Sequence, residues 1–412
     1  MTIIQSRSHP ATPEAQEEDV ALTCSATHST NPVIETCLYA FKATGLVSLN
    51  ETGIKDAARY IYDRLCAEDY TPRTWRTHSL HLLPPEPYAP DDPLTKGCLD
   101  WIFVVSSLNF SFWSEREGTP ERYGVEWRTG WGSDERMVHT GYWSLVAALD
   151  RALEEGLPIT DPKFYSSEEC CPDSLLDHVF HPAPQSKEPI PLLRERIAIL
   201  REVGRILCTH FEGSFQGFLA QFLCRYDGRG TAFQLVEMII EYFPPFRDQT
   251  WYEGRQVFLW KRAQILVAET WAAFTPSSPR TSHPFFPHGA AIEVLTMFAD
   301  YRVPQILHHL QVLTYPPALM KTLQSHAALA SGSREEISIR SAGIVAVDRL
   351  RQYILQLQRE DHDGDRHFNV SSVIIDFYLW DLAKWLEGKK RRVEGIRTCD
   401  ILPAHRTRSI WY

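Results

Sequence analysis

The chain has 412 residues, of which 44% are apolar and 23% are charged. These proportions are typical of globular proteins and exclude a disordered or collagen-like chain. Asp and Glu number 52 against 42 Lys and Arg, so the formal net charge is −10, which disfavours a protein that grips a long nucleic-acid backbone.

The cysteine pattern is typical of free thiols in a reducing compartment. Nine cysteines are scattered along the chain without a C-x-x-C pair. No apolar run approaches the roughly 18 residues of a membrane span, and the N-terminus lacks the basic-then-apolar order of a secretory signal. We therefore expect a soluble protein without a membrane partner, located in the cytoplasm, with the nucleus as a second location.

Residues 1–32 are rich in Thr, Ser, Pro, Glu and Gln and contain few large apolar side chains. Such a segment cannot bury enough surface to offset the entropy lost on ordering, so we predict a disordered tail. After it, apolar residues recur at helical spacing, whereas the proline-rich stretch 81–93 predicts an extended loop. The helical spacing is carried by Ile54, Ala57, Ala58, Ile61 and Leu65.

The middle of the chain contains a predicted β-hairpin. Apolar and polar residues alternate at 124–127 and 137–142, and turn-forming residues at 130–133 separate them. The next segment, WSLVAALDRALEEG, predicts an amphipathic helix that ends before Pro158. Helical patterns then dominate and strand signals are sparse, so we predict a mostly α protein with a minor sheet. The further predicted helices span residues 189–209, 214–224, 231–241, 259–272, 291–311, 334–358 and 371–386.

Two stretches, 117–135 and 275–287, are rich in Gly, Pro, Ser and Thr and look like insertions into the helical frame. No segment repeats at a fixed period, which disfavours a solenoid. The common nucleotide-binding, metalloprotease and serine-hydrolase motifs are absent from the sequence.

Two short segments have only a superficial likeness to metal sites. DHDGD at 361–365 has its Gly at the fourth position rather than the sixth of a calcium loop, so we interpret it as a solvated acidic loop. His308 and His309 are consecutive, about 100° apart around a helix, so both cannot face one ion. We therefore predict no metal site.

Three aspartates lie in strongly apolar, aromatic surroundings. Asp300 lies in LTMFADYRVPQIL, and Asp376 and Asp381 lie in IIDFYLWDLAKWL. An ionised carboxylate loses its hydration on burial, so aspartate is rarely buried unless it is paired or hydrogen-bonded. Each of the three therefore needs a partner or a task.

The segment around Asp376 can be interpreted in two ways. Asp376 and Trp380 are four residues apart and share a helix face, with Asp381 about 100° further around. Together they could present acceptors to the N–H edge of a heterocycle while the ring covers its plane. Alternatively, Asp376 has a structural role, as a cap or in an ion pair with an arginine such as Arg340.

Asp300 is four residues before Pro304. Because proline is tolerated in a first helical turn, we expect Asp300 at or just before a helix N-terminus, where the helix dipole favours its anionic form. A fixed anion beside a cavity can stabilise a developing oxocarbenium ion or orient a water, the two requirements of glycosidic bond cleavage. The alternative is an ordinary N-cap.

Two basic clusters could bind a phosphate group. One is Arg247, next to Asp248, and the other is the pair Lys261 and Arg262. The C-terminal segment HRTRSIWY adds two further arginines. Equally, such side chains could pair with surface acids, which is their usual role.

Seven segments, taken in order, resemble the queuosine salvage family, the queuosine 5′-phosphate N-glycosylases. The resemblance runs from about residue 33 to the end of the chain, and the tail and the two insertions fall outside it. The segments are NFSFWSE at 109–115, GYWSL at 141–145, RALEEGLPITDPKFY at 151–165, KRAQILVAETW at 261–271, TMFADYRVPQ at 296–305, DFYLWD at 376–381 and HRTRSIWY at 405–412.

The resemblance implies a single, mostly helical domain over residues 33–412, distantly like the helix-hairpin-helix DNA glycosylases. It also implies hydrolysis of queuosine 5′-monophosphate to queuine and ribose 5-phosphate, without a metal or organic cofactor. Asp300 stands where those glycosylases place an aspartate at the start of the helix after their hairpin. The resemblance therefore implies a catalytic role for Asp300.

The same resemblance implies that Asp376, Trp380 and Asp381 recognise the queuine base. Further candidates for contact with the base or the phosphate come from neighbouring segments. They are His81, Tyr378, Phe286, Lys261, Arg262, Arg302, Arg247 and Asp248.

Two other functions stay open at this point. The chain could bind queuine or its nucleotide without catalysis, or it could be a glycosylase that acts on a polymeric nucleic acid. The acidic net charge disfavours the polymer. We expect a monomer that acts on a small nucleotide and forms no stable nucleic-acid complex.

Overall fold

Helices form most of the computed structural model, which describes residues 31–360, 370–387 and 393–412. The prediction of a mostly α fold with small antiparallel strand pairs is confirmed. Residues Asn31–Tyr412 form one compact unit, while the domain boundaries and the two insertions stay predictions. Residues 1–30 of the predicted tail and the DHDGD segment lie outside the described residues.

The first helix, α1 (Pro32–Thr44), begins at a residue that the sequence assigned to the tail. The Asn31 side chain accepts a hydrogen bond from the amide of Val33 at 2.9 Å, and the proline stands at the first helical position. After β1 (Ser48–Leu49) follows α2 (Glu51–Ala67), whose predicted apolar face is buried. Both helices pack against the long helix α13 (Arg334–Glu360).

The predicted loop after residue 81 separates a short 3₁₀ helix, Pro72–Thr77, from α3 (Pro93–Ser107). The predicted hairpin is present as the antiparallel pair of β2 (Gly124–Arg128) and β3 (Arg136–Thr140). It leads directly into α4 (Tyr142–Glu154), the helix that the apolar spacing predicts.

A set of helices and one more hairpin form the middle of the fold. Helix α7 begins later than the predicted residue 189, because Pro189 and Pro191 disfavour helical geometry at the residues before them. The hairpin of β4 and β5 was not predicted. The elements are α5 (Pro162–Tyr165), α6 (Asp173–Val179), α7 (Leu193–His210), α8 (Phe215–Arg225), α9 (Ala232–Tyr242), β4 (Gln249–Tyr252), β5 (Arg255–Phe258) and α10 (Lys261–Ala273).

The prediction of one helix over 291–311 is wrong. A 3₁₀ turn, Ile292–Val294, is followed by a non-helical stretch, and α11 (Arg302–His309) begins only after it. The physical cause is Pro304, because a proline inside a helix clashes with the carbonyl four residues earlier, here that of Asp300. The chain continues through β6 (Leu313–Thr314), which pairs with β1, α12 (Pro317–Gln324), α13 and α14 (Ser372–Leu386).

Several whole-chain properties follow from the described residues. No helix among them has the length and apolar character needed to cross a membrane. Within the described ranges, no cluster of three or more His, Cys, Asp or Glu side chains has a geometry that could hold a metal ion. The eight cysteines that the structure describes are unbridged.

Gly53 fixes the close approach of α2 to the chain segment after α11. A Cβ atom at this position would lie 2.1 Å from the carbonyl oxygen of Gln311. We therefore expect Gly53→Ala to lower the free energy of unfolding by about 1–3 kcal/mol, the usual cost of overpacking, as measured by denaturant titration.

Gly97→Ala is the matched control, because Gly97 lies inside α3 and a Cβ atom added there would meet nothing within 4 Å. Alanine has the higher helix propensity, so this variant should gain up to about 1 kcal/mol. Equal effects of the two substitutions would contradict the proposed contact.

Candidate functional site

A cavity of about 180 Å³ opens between α10, α14, the start of α4 and the segment before α11. A single water needs roughly 10–15 Å³ of such space, so the cavity can hold an organic ligand. Its wall combines aromatic rings with carboxyl groups and one lysine. It is lined by Tyr70, Thr74, Trp75, Thr77, His78, His81, Asn109, Phe112, Tyr142, Trp143, Lys261, Ile265, Glu269, Phe298, Asp300, Tyr301, Asp376, Phe377, Trp380 and Asp381.

Lys261 lies at the start of α10, and its ammonium group is buried beside the carboxyl groups. Its Nζ donates to the backbone oxygen of Asn109 at 3.0 Å and to the Oδ1 of the same residue at 3.1 Å. Burial lowers the pKa of Lys261 to about 8, and the charge of Asp300 opposes the shift. Lys261 therefore remains largely protonated at neutral pH.

Asp300 lies at the N-terminus of α11, the position that Pro304 led us to expect. Its Oδ1 accepts hydrogen bonds from the amides of Arg302 and Val303, both at 2.9 Å. Burial raises the pKa of Asp300, while the charge of Lys261 and the two amides lower it. The residue therefore caps the helix and also presents a carboxylate to the cavity.

Asp376 lies opposite, on α14, and is 4% exposed. Its Oδ1 accepts the amide hydrogen of Phe298 at 2.9 Å. Burial, together with the negative charge of Asp300, raises the pKa of Asp376 well above its usual value. The alternative ion pair with Arg340 is wrong, because the Arg340 guanidinium pairs with Asp248 and Glu336.

The two carboxyl groups therefore differ in the neighbouring groups that shift their pKa values. Asp376 forms no ion pair with a cation among the described residues, and its pKa is raised well above its usual value, whereas Asp300 has two amide donors and a nearby ammonium group that favour its anion. A pair whose environments push the pKa values apart can supply one acid and one anion in the same cavity.

Glu269 is a third carboxyl group in the wall, and the sequence did not predict it. It follows Lys261 by eight residues and Ile265 by four, so all three share one face of α10. The Ser106 hydroxyl lies 3.5 Å from its Oε2. Burial raises the pKa of Glu269 to about 7, against the lowering effect of Lys261.

Aromatic rings form one wall of the cavity. Trp380 meets Tyr142 and Trp143 edge-on, with ring centroids 5.7 and 5.6 Å apart. His78 stacks on Trp143 at 3.6 Å, with 5° between the ring planes. Such rings offer flat faces to a heterocycle.

His81 also lines the cavity and stacks on Trp75 at 4.0 Å. Its Nδ1 lies 2.7 Å from the Trp75 carbonyl oxygen, which can only accept, so Nδ1 carries the proton. Burial lowers the pKa of His81 to about 3, and the ring is therefore neutral with Nε2 as an acceptor.

Asp381 faces the cavity one residue after Trp380. The Tyr70 hydroxyl donates to its Oδ2 at 2.6 Å. Burial raises the pKa of Asp381, and this hydrogen bond lowers it. Of the residues predicted for the site, the structure thus brings six together around one cavity, namely Asp300, Asp376, Trp380, Asp381, His81 and Lys261.

Two predicted aromatic contacts lie elsewhere in the described structure. The Tyr378 hydroxyl meets that of Tyr60 at 3.5 Å, on a different face of α14. Phe286 is 1% exposed and packs among the rings of Phe222 and His283. Neither ring is part of the described cavity wall.

The predicted phosphate arginines, and Asp248 as a predicted substrate contact, also lie outside the wall, within the described ranges. Arg262 is fully buried and donates to the carbonyl oxygens of Ser107 and Pro245. The remaining three have partners of their own: Arg247 donates to the carbonyl oxygens of Ile240 and Glu241, Asp248 pairs with Arg340, and Arg302 pairs with Glu387 at 2.8 Å.

Other lining residues were not predicted from the sequence, although they lie in two of the segments that carry the family resemblance. Asn109 and Phe112 belong to NFSFWSE, and Tyr142 and Trp143 belong to GYWSL. For Glu269, the eight-residue spacing from Lys261 within one helix was the available signal.

Comparisons with known proteins match most of this chain to a single family. A family model described as "Queuosine salvage protein" matches residues 89–412. A relative from Schizosaccharomyces pombe, named queuosine 5′-phosphate N-glycosylase/hydrolase, is 37% identical over 373 residues, which cover 89% of this chain and 95% of the relative. Relatives of the same name are 34% identical in Mus musculus, covering 89% and 94%, and 34% identical in Sphaerobacter thermophilus, covering 87% and 91%.

The raised pKa of Glu269 makes stability depend on pH. Its pKa is about 7 in the folded chain against an ordinary value of 4.5, so in this range the folded state keeps a proton that the unfolded state has lost. Stability therefore falls as pH rises through this window and levels off above it.

We expect Glu269→Gln, which cannot ionise, to remove this loss. Relative to wild type, the variant should gain up to about 3 kcal/mol in unfolding free energy between about pH 5 and about pH 8. Urea titrations at both pH values measure it, with the exposed Glu195→Gln on α7 as the control for losing one carboxylate. A constant difference between Glu269→Gln and wild type across the range would contradict the assignment.

Proposed function

Because this chain belongs to the queuosine salvage protein family, we propose that it hydrolyses the N-glycosidic bond of queuosine 5′-phosphate and releases queuine. The resemblance found in the sequence is thereby confirmed. The observation that carries the proposal is the pair of carboxyl groups, Asp300 and Asp376, that line one cavity beside an aromatic wall in different surroundings. Against the effect of burial, the Lys261 ammonium and two amides lower the pKa of Asp300, whereas burial and the charge of Asp300 raise the pKa of Asp376 well above its usual value.

The leaving group determines what the site must supply. Queuine is a 7-deazaguanine and lacks the N7 atom that could accept a proton during departure of an ordinary purine. Activation must therefore come from a proton or hydrogen bond to another atom of the base. We assign this donor role to Asp376, because a neutral buried carboxyl group carries the proton that a donor needs.

Asp300 supplies the opposite charge. As the bond to the base breaks, positive charge develops on the ribose, and a fixed carboxylate stabilises it or orients the attacking water. The two amides on its Oδ1 hold the carboxylate in place, and the Lys261 ammonium favours its ionised form.

The aromatic rings and Asp381 could contact the queuine base by stacking and by hydrogen bonds. We propose that queuine lies against Trp380, with Trp143 and the stacked His78 closing the wall. Asp381 and the neutral His81 then offer acceptors toward N–H groups of the base. We further propose that a monomer acts on the free nucleotide, in the cytoplasm or the nucleus.

Three cations next to the wall are available for the phosphate group. Arg302 is two residues from Asp300, Lys384 lies 5.7 Å from the centre of the Trp380 ring, and Arg122 approaches the carbonyl oxygen of Phe112 at 3.5 Å. All three are partly or almost fully buried. We propose that the phosphate group binds Arg302, as predicted from the sequence, together with Lys384 and Arg122.

Two carboxylates now neutralise this cluster in part. Glu387 pairs with Arg302 at 2.8 Å, and Glu117 pairs with Arg122 at 2.6 Å. Although burial opposes the shift, the charges of Arg302 and Lys384 lower the pKa of Glu387 to about 2. The cluster retains one excess positive charge, which favours a phosphate dianion.

The first test removes the charge of Asp300 and keeps its shape. We expect Asp300→Asn to lower the rate of queuine release by at least about 100-fold, the usual scale for losing one electrostatic contact to a transition state. Chromatography of the free base after incubation with queuosine 5′-phosphate measures the rate.

Asp92→Asn is the matched control, because Asp92 caps α3 in the same manner, through the amide of Leu94 at 2.8 Å, and lines no part of the described cavity. It should retain wild-type activity. Wild-type turnover in the Asp300 variant would remove Asp300 as the catalyst, and binding of the nucleotide without any release by wild type would indicate a binding protein instead.

The phosphate assignment predicts a change in selectivity. Arg302→Met should lower kcat/KM for the 5′-phosphate by at least about tenfold and leave kcat/KM for unphosphorylated queuosine nearly unchanged. Arg247→Met, whose guanidinium donates to backbone carbonyls away from the described cavity wall, is the control. Parallel loss for both substrates would refute a phosphate contact.

A further inference from the structure

Arg340 is a buried guanidinium that reaches two segments of the site without lining the described cavity. It lies on α13 and is 2% exposed. Its Nε donates to the carbonyl oxygen of Ala299 at 2.8 Å, and its two terminal nitrogens donate to the Asp248 carboxylate at 2.5 and 3.2 Å. A further contact joins it to Glu336 at 3.2 Å.

The Ala299 contact acts directly on the position of Asp300. Ala299 is the preceding residue, and the chain here is neither helix nor strand. The backbone supplies this peptide unit with a local hydrogen bond, from the Asp300 amide to the Phe298 oxygen at 2.6 Å, and not with a helix or strand ladder. The hydrogen bond from Arg340 fixes the Ala299 carbonyl and therefore the peptide unit that carries Asp300.

The Asp248 contact acts on the start of α10, where Lys261 lies. The backbone oxygen of Asp248 accepts from the amides of Leu259 at 3.0 Å and Trp260 at 2.9 Å, and its Oδ2 accepts from the amide of Lys261 at 3.3 Å. One carboxylate thus holds Arg340 on one side and the first turn of α10 on the other.

The environment holds the guanidinium in a single position. The Tyr412 ring covers its face at 3.9 Å, and burial leaves no direct route for solvent. Burial alone would lower the pKa of Arg340, but the charges of Asp248 and Glu336 raise it above its usual value. Arg340 therefore remains charged and bridges its partners.

We propose that Arg340 and Asp248 are positioning residues that set the separation between the Lys261 ammonium and the Asp300 carboxylate. The inference rests on the proposed function for its catalytic consequence. It also gives Asp248 a role that differs from the substrate contact expected from the sequence, because the described structure places its carboxylate against Arg340.

The test compares Arg340→Lys with wild type. A lysine keeps the charge, but its ammonium cannot hold the Ala299 carbonyl and both Asp248 oxygens at once. Because a misplacement of about 1 Å can reduce a rate about 100-fold, we expect kcat to fall at least about tenfold. KM should stay within about twofold, since the lining side chains are unchanged.

Arg201→Lys is the matched control. Arg201 is also a buried arginine that donates to backbone carbonyls and pairs with Asp173 at 3.1 Å, and its described contacts lie away from the cavity. Both variants should lose thermal stability, but Arg201→Lys should keep the kcat of wild type. An unchanged kcat in Arg340→Lys, or equal loss in both variants, would overturn the inference.

Amide hydrogen exchange separates this inference from the proposed function. Arg340→Lys should accelerate exchange in peptides covering 295–303 and 259–264, whereas Arg201→Lys should not. This readout needs no turnover, so a wild-type protein that released no queuine would refute the proposed function alone. Asp248→Asn serves if Arg340→Lys does not fold, and unchanged exchange in both segments would refute the positioning role.

Discussion

The site depends on a buried stretch of chain, residues 295–301, that has no regular secondary structure. Its backbone polar groups cannot reach water and must be satisfied by other partners. Side chains from three helices supply them: Gln264 accepts from the amide of Thr296 at 2.9 Å, Asp376 accepts from the amide of Phe298 at 2.9 Å, and Arg340 donates to the Ala299 carbonyl at 2.8 Å. These three buried polar side chains of α10, α13 and α14 therefore satisfy the backbone of this one irregular segment.

The same hydrogen bonds arrange the chemistry. The hydrogen bond from the Phe298 amide holds Asp376 in the interior, where burial and the charge of Asp300 raise its pKa well above the usual value. Asp300 lies near the end of the segment and accepts hydrogen bonds from two backbone amides of α11. These bonds and the positive charge of Lys261 favour the anionic form of Asp300. The proposed general acid and the proposed stabilising anion thus both depend on the way in which the polar groups of one irregular connection are satisfied.

The sequence predicted most of the helices, and the place of Asp300 at a helix N-terminus, because both leave local signals. Apolar spacing reports a buried helix face, and Pro304 marks where α11 must begin. The pairing of β1 with β6 joins two-residue strands far apart in the chain, and no local pattern reports it. Glu269 was missed because a buried acid inside a helix has the same local signature as an exposed one, and its role depends on which face meets the cavity.

The sequence does not show whether an arginine binds a substrate phosphate or the carbonyl groups of its own fold, and Arg262 is an example. Arg262 donates to the carbonyl oxygen of Ser107, the last residue of α3, where the helix dipole favours positive charge. Arg196, which was not among the predicted phosphate residues, donates to carbonyl oxygens just after the helix. Their bonds to Ser107, Leu108 and Phe110 enclose the turn that presents Asn109 to Lys261. These two guanidinium groups stabilise the backbone around the site, because their hydrogen-bond acceptors are buried carbonyl oxygens of the fold. We therefore assign the proposed phosphate contact to cations outside this buried frame, such as Arg302.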